Sequence, residues 1–135
     1  MSTILLVEDE ALNRTLVKAV LSRAEVEAVR AAAVLDAATL AAAREKLAGE
    51  EVDLILLDMN LPDGNGLSLA RELADRGMPD GRARPAVVAV TASVLPQDRA
   101  AALEAGCDGF LTKPCYPDTL ADEIRRVLRG WRRNH

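Results

Sequence analysis

Short, continuous apolar runs recur along this chain, and each of them stops at a polar residue. Ile4 to Val7 ends in Glu8 and Asp9, Leu54 to Leu57 ends in Asp58, Val87 to Val90 ends in Thr91, and Phe110 and Leu111 lead into Thr112 and Lys113. Strands buried on both faces read as such runs rather than as alternations. Between the runs the spacing becomes helical. Leu12, Leu16, Val17, Val20 and Leu21 make a first stripe, and Leu40 and Leu47 a second, with Asp36 as its N-cap and an end near Gly49. Leu67, Ala70, Leu73 and Ala74 mark a third helix. Pro96 suits the first turn of a fourth, with Leu103 on its inner face. Leu120, Ile124, Val127, Leu128 and Trp131 form the stripe of a last helix starting near Pro117. A weaker strand is expected over 26–31, and the third strand over 52–57. Met59 to Gly66 reads as a loop, and Gly77 to Pro85, rich in Gly, Pro and Arg, as a solvated one. The alternation predicts an α/β fold of five βα units around a parallel sheet.

Open parallel sheets bind ligands outside the carboxyl ends of their strands. The polar residues that stop the runs would therefore meet in one crevice: carboxylates from Glu8, Asp9 and Asp58, the hydroxyl of Thr91 and the ammonium of Lys113. Packed carboxylates repel by about 4 kcal/mol per pair at about 4 Å and an effective dielectric of about 20. Lys113 supplies one counter-charge and a divalent cation supplies the rest. The ligands on offer are oxygens, which suits Mg2+, an ion that keeps several waters and takes one or two carboxylates plus phosphate oxygens. A carboxylate beside such an ion is a nucleophile toward phosphorus. Lys113 and Thr91 are placed to pair with oxygens of the incoming phosphoryl group.

Composition narrows the partners. A chain of 135 residues suits one domain, expected to span 1–135 with no output domain, and half of its residues are hydrophobic. Phe110, Tyr116 and Trp131 are its aromatic residues, so the core is expected from Leu, Val, Ile and Ala, with Trp131 as packing. A net charge of −4 argues against nucleic acid as a partner. No apolar stretch approaches the roughly 20 residues that span a bilayer, and no signal-peptide pattern precedes the first strand, so the expected location is cytoplasmic and no membrane partner is expected. Cys107 and Cys115 have no metal spacing, His135 being the single histidine, and read as packing thiols of a reducing compartment.

Glu8-Asp9, then Asp58-Met59-Asn60-Leu61-Pro62-Asp63-Gly64, Val90-Thr91-Ala92 and Gly109-Phe110-Leu111-Thr112-Lys113-Pro114, in this order and spacing, resemble the receiver domain of two-component response regulators over essentially the whole chain. The resemblance implies a flavodoxin-like, doubly wound sheet of order 2-1-3-4-5 flanked by five helices. It implies that Asp58 is the phosphoacceptor for a histidine kinase or histidine phosphotransfer protein. Asp9, Asp58 and the Asn60 backbone carbonyl would ligate Mg2+, with Glu8 acting through water. Thr91 and Phe110 would be the switch pair, and the bond before Pro114 would be cis. The implied protein is not a turnover enzyme, since it acts only in its own phosphorylation and dephosphorylation. It would be a stand-alone receiver of the chemotaxis-regulator kind, a monomer or weak dimer, contacting a downstream protein target. Phe110 stands where Tyr is also common in the family, so switching would depend on packing without a hydroxyl. Glu10, Asn13 and Arg14 resemble the receivers of phosphorelays and hybrid kinases.

Simpler roles exist for each fragment. Glu8 and Asp9 suit a helix cap, and Asp58 a turn before Pro62. Gly64 and Gly66 lack the third glycine of a dinucleotide fingerprint. A phosphotransferase of the haloacid dehalogenase type would want a second Asp two residues after Asp58, where this chain has Asn60. A degenerate receiver serving as a constitutive interaction module is expected to lack one of the acidic, Thr or Lys positions. The output face implied by the family would carry Gln97, Ala100, Ala101, Glu104 and Phe110, and the first helix, through Asn13, Arg14 and Val17, the docking surface for the phosphodonor.

Overall fold

The structure, a computed structural model, describes residues 2–78, 81–92, 95–113 and 116–134, and for 131–134 the backbone alone. Five parallel strands form one sheet: β1 Thr3–Val7, β2 Ala33–Ala37, β3 Leu54–Asp58, β4 Ala86–Thr91 and β5 Gly109–Thr112. Their order is 2-1-3-4-5, as the resemblance implies, with Leu6 opposite Leu56, Leu56 opposite Val88 and Val88 opposite Gly109. The connecting helices are α1 Ala11–Ser22, α2 Leu40–Gly49, α3 Leu67–Arg76, α4 Pro96–Glu104 and α5 Pro117–Asn134.

Side chains alternate across each strand, so the sheet carries two cores. Ile4, Leu6, Leu54, Leu56, Val88 and Val90 face Leu21 of α1 and Leu120, Ile124, Val127 and Leu128 of α5. Leu5, Val7, Ile55, Leu57, Val87 and Ala89 face α2, α3 and α4 through Leu40, Leu47, Leu67, Leu73 and Ala102. The sheet centre is dry: Leu54 and Val88 have no exposed surface. Each fully buried Leu or Ile contributes roughly 1.5–3 kcal/mol relative to exposure.

Several expectations need correction. The second strand is not at 26–31. Glu27–Arg30 is a single helical turn, a sixth helix, and β2 follows it. Asp36 therefore lies within β2, where Lys18 pairs with it, and the cap of α2 is Thr39, whose hydroxyl accepts from the Ala42 N–H at 3.1 Å. The third strand begins at Leu54 rather than at residue 52. Leu12 and Leu16 are exposed, at 68% and 54%, as is Leu103 of α4 at 57%. The segment before β4 is not merely solvated, because Met78 is buried in the core and Arg82 donates to the Leu47 carbonyl at 2.9 Å. Pro114, Cys115 and the Trp131 side chain lie outside what is described.

Candidate functional site

Strand parity decides which side chains meet. Glu8 continues the face of Ile4 and Leu6, Asp58 that of Leu54 and Leu56, and Lys113 that of Leu111. All three thus emerge at the carboxyl end on the α1 and α5 side. Lys113 Nζ donates to Glu8 Oε1 at 2.8 Å and to Asp58 Oδ2 at 3.1 Å. Oxygens of Glu8, Asp9 and Asp58 lie within 4.8 Å of one another. Glu8 and Asp58 are buried and Asp9 is exposed, so the cluster opens to solvent through Asp9. The Asn60 N–H donates to Asp58 Oδ1 at 3.0 Å, and the Asn13 amide donates to Glu8 Oε1 at 3.3 Å.

These contacts set the charges. Burial alone would raise the Glu8 carboxyl, but hydrogen bonds from Lys113 and the Glu10 N–H, with those shared with Asp58 and Asp9, outweigh it and bring Glu8 to about 2. Burial also raises Asp58, and here it prevails over the Asn60 N–H and Lys113, with Glu8 adding to the rise. Burial would lower the Lys113 ammonium, and its two carboxylate partners reverse that and raise it. Glu8 is thus held ionised beside Lys113, whereas burial keeps the Asp58 carboxyl above its ordinary range.

Thr91 is buried at the end of β4, on the face opposite Val90. Phe110, opposite Ala89 in β5, packs half-buried on that same face. The two expected switch residues therefore share one side of neighbouring strands. The Arg99 guanidinium of α4 lies 5.9 Å from the Phe110 ring centroid, within cation–π range. Glu123 of α5 accepts from the Phe110 N–H at 3.1 Å, closing an amide of edge strand β5.

Glu8 and Asp9 are not helix caps in the simple sense. The N-cap of α1 is Glu10, and its side chain makes no capping bond. Arg14 folds back to hold the acidic turn, donating to the carbonyls of Glu8 at 2.8 Å and Asp9 at 3.1 Å. Its side chain, expected as part of a docking surface, thus also braces the backbone of the site. The sequence reading also missed Asp63 and Glu123, which act on backbone N–H groups and so leave no periodic signal. Gly66 is required by close approach: a Cβ there would stand 2.1 Å from the Asp58 carbonyl oxygen. Cys107 is a packing thiol, its pKa pushed up to about 11 by burial with Asp108 adding to the effect.

A cavity of about 400 Å³ runs from Glu8, Asp58 and Lys113 down between α1 and α5, walled by Leu16, Val17, Val20 and Leu120. Among the described residues no helix is long and apolar enough to cross a membrane.

Comparison with known proteins agrees with this geometry. The family model described as the response regulator receiver domain matches residues 4–125. The KDP operon transcriptional regulatory protein KdpE of Escherichia coli is 35% identical over 129 residues, covering 96% of this chain and 52% of KdpE. The aerobic respiration control protein ArcA of the same organism is 32% identical over 125 residues, 93% of this chain and 48% of ArcA, so the chain spans about half the length of these relatives. Among solved structures, the signal receiver domain of a signal transduction histidine kinase from Syntrophus aciditrophicus superposes with a TM-score of 0.79 at 31% identity, covering 96% of this chain and 92% of that one. With the family model matched along nearly its whole length and the fold and crevice arranged as above, the chain belongs to the response regulator receiver domain family.

Proposed function

We propose that this receiver is a phosphorylation switch: Asp58 accepts a phosphoryl group from a phosphohistidine of a histidine kinase or histidine phosphotransfer protein, and the resulting acyl phosphate changes a protein-interaction face. The observation that carries this reading is the convergence of the Glu8, Asp9 and Asp58 oxygens within 4.8 Å, bridged on one side by the single ammonium of Lys113. Three carboxylates against one cation leave a deficit of positive charge, and an all-oxygen donor set fits Mg2+. Asp9, Asp58 and the Asn60 carbonyl would hold that ion, with Glu8 acting through water. Bound there, Mg2+ supplies charge neutralisation for phosphoryl transfer.

The chain's own residues account for the rest. An Asp58 oxygen attacks phosphorus, the P–N bond breaks, and its electron pair returns to the departing imidazole. Lys113, already 3.1 Å from Asp58, pairs with an oxygen of the transferred group. Thr91 donates to another, and Phe110 follows it into the space released on their shared face. The output is a protein contact at Gln97, Ala100, Ala101, Glu104 and Phe110, of which Gln97, Ala100 and Glu104 are exposed. The phosphodonor docks on α1, where Leu12 and Leu16 are exposed beside Asn13 and Val17. The chemistry is confined to the protein's own phosphorylation and dephosphorylation, without turnover of a separate substrate. Phosphotransfer profiling against the host's histidine kinases tests this. One or a few kinases should label the wild type rapidly and Asp58→Asn not at all, and steady hydrolysis of small phosphate esters without labelling would overturn it.

A further inference from the structure

The loop from β3 to α3 carries Asn60, and it is fastened at a point away from the reacting atoms. Asp63 reaches the start of α2, where its Oδ1 accepts from the Leu40 N–H at 2.9 Å and its Oδ2 from the Ala41 N–H at 3.1 Å. These donors are orphans of the first helical turn, and Thr39 satisfies the next one at Ala42. Both bonds hold the Asp63 carboxyl below the usual range, as a charge-assisted bond at the positive end of a helix should.

Little slack separates this fastening from Asn60. Asn60–Leu61 and Gly64–Asn65 form a two-residue antiparallel ribbon, with Asn60 opposite Asn65 and Leu61 opposite Gly64. Gly64 lies against α2, since a Cβ there would come 3.3 Å from Leu40 Cδ1. At the end of the ribbon, the Asn65 side chain accepts from the Leu67 N–H at 2.9 Å at the head of α3, and the Gly66 N–H donates to the Met59 carbonyl at 2.9 Å. The loop is thus pinned to the heads of two helices.

We propose that Asp63 is a positioning residue for the metal-binding crevice: it latches the β3–α3 loop to the N-terminus of α2 and thereby fixes Asn60 relative to Asp58. Coupling of this kind is reciprocal, so a divalent cation in the crevice tightens the first turn of α2. The inference rests on the reading of Asn60 as a Mg2+ ligand.

Two variants at the same helix start separate this role from plain capping. Asp63→Ala and Thr39→Ala each remove an acceptor from the first turn of α2 and each lower stability, but only Asp63 spans to the loop. In Mg2+ titrations followed by amide NMR, Asp63→Ala should bind about tenfold more weakly, as loss of a residue that orients a ligand does. Thr39→Ala should match the wild type, and Asp63→Asn, which keeps one acceptor oxygen, should fall between. Mg2+ should slow hydrogen exchange at Leu40 and Ala41 in the wild type and in Thr39→Ala, and not in Asp63→Ala. Without metal, exchange at Asn60 and Gly66 should speed up in Asp63→Ala and not in Thr39→Ala. That metal-free comparison reads the latch even where the crevice takes no ion, so failure of the Mg2+ reading and failure of the latch are told apart. Equal Mg2+ affinity in Asp63→Ala and wild type, equal weakening in Thr39→Ala, or unchanged exchange at Asn60 and Gly66 would overturn the proposal.

Discussion

Replacing Lys113 with Met keeps the apolar stem and removes the one ammonium that bridges Glu8 and Asp58. At 2.8 and 3.1 Å, and with an effective dielectric of about 20, each contact is worth roughly 5–6 kcal/mol before desolvation is counted. Breaking a buried pair by deleting one partner costs about 3–5 kcal/mol. The Lys113 side chain is 29% exposed, so water already screens part of the gain and reaches the carboxylates once the ammonium is gone. The expected destabilisation in EDTA is about 2–3 kcal/mol. In saturating Mg2+ the ion replaces the missing counter-charge, and the gap between variant and wild type should close to below about 1 kcal/mol. Linkage turns a recovery of about 2 kcal/mol into Mg2+ affinity about thirtyfold tighter in the variant, although phosphorylation-driven switching should be impaired. Urea unfolding followed by circular dichroism, with EDTA and with excess Mg2+, measures both quantities. An equal loss in the two conditions, or weaker Mg2+ binding by Lys113→Met, would refute the division of labour between lysine and metal.

Gly66→Ala should cost about 3 kcal/mol and abolish Mg2+ binding, because the new methyl displaces the end of β3; Gly49→Ala, where a Cβ meets nothing within 4 Å, is the neutral control in the same unfolding assay. Glu8 titrates at about 2 in the folded protein against an ordinary 4.5, so its contribution is fully present above about pH 4.5 and is lost as pH falls through about 2. Stability measured from pH 6 downward should therefore show an acid limb that Glu8→Gln flattens, and an identical limb in the variant would contradict the pairing. Leu16→Asp on the exposed face of α1 should leave stability within about 0.5 kcal/mol and labelling by acetyl phosphate unchanged, yet slow transfer from a phosphohistidine protein about tenfold; equal slowing with both donors would show that α1 is not the docking surface.

Much of this was legible in the chain because a parallel sheet writes itself as apolar runs. Where a run is continuous, as at Leu54 to Leu57, the strand and the polar residue ending it could be placed from sequence, and with them Glu8, Asp58 and Lys113. β2 was misplaced because it is an edge strand of Ala33, Val34, Leu35, Asp36 and Ala37, only partly buried and interrupted by a carboxylate, in a stretch where alanines fit any period. The stripe on α1 was read too wide: Val17, Val20 and Leu21 pack toward the sheet, whereas Leu12 is exposed and Leu16, also exposed, only edges the cavity between α1 and α5. The folded-back Arg14, the Asp63 bonds to the start of α2 and the Glu123 bond to edge strand β5 all join a side chain to backbone amides or carbonyls outside its own helical turn, and no spacing rule marks such contacts. The convergence of Glu8, Asp58 and Lys113 was therefore visible in the sequence, and the scaffolding that aims it was not.

Asp58 should be the single phosphoacceptor, made so by the acidic cluster around it. Intact-mass analysis after incubation with acetyl phosphate and Mg2+, followed by mapping of the hydroxylamine-sensitive residue, counts and locates the phosphoryl group. The expected result is the added mass of one phosphoryl group, located at Asp58, lost in EDTA and absent in both Asp58→Asn and Asp9→Ala. Labelling that persists in Asp58→Asn, or that proceeds at full rate without a divalent cation, would contradict it.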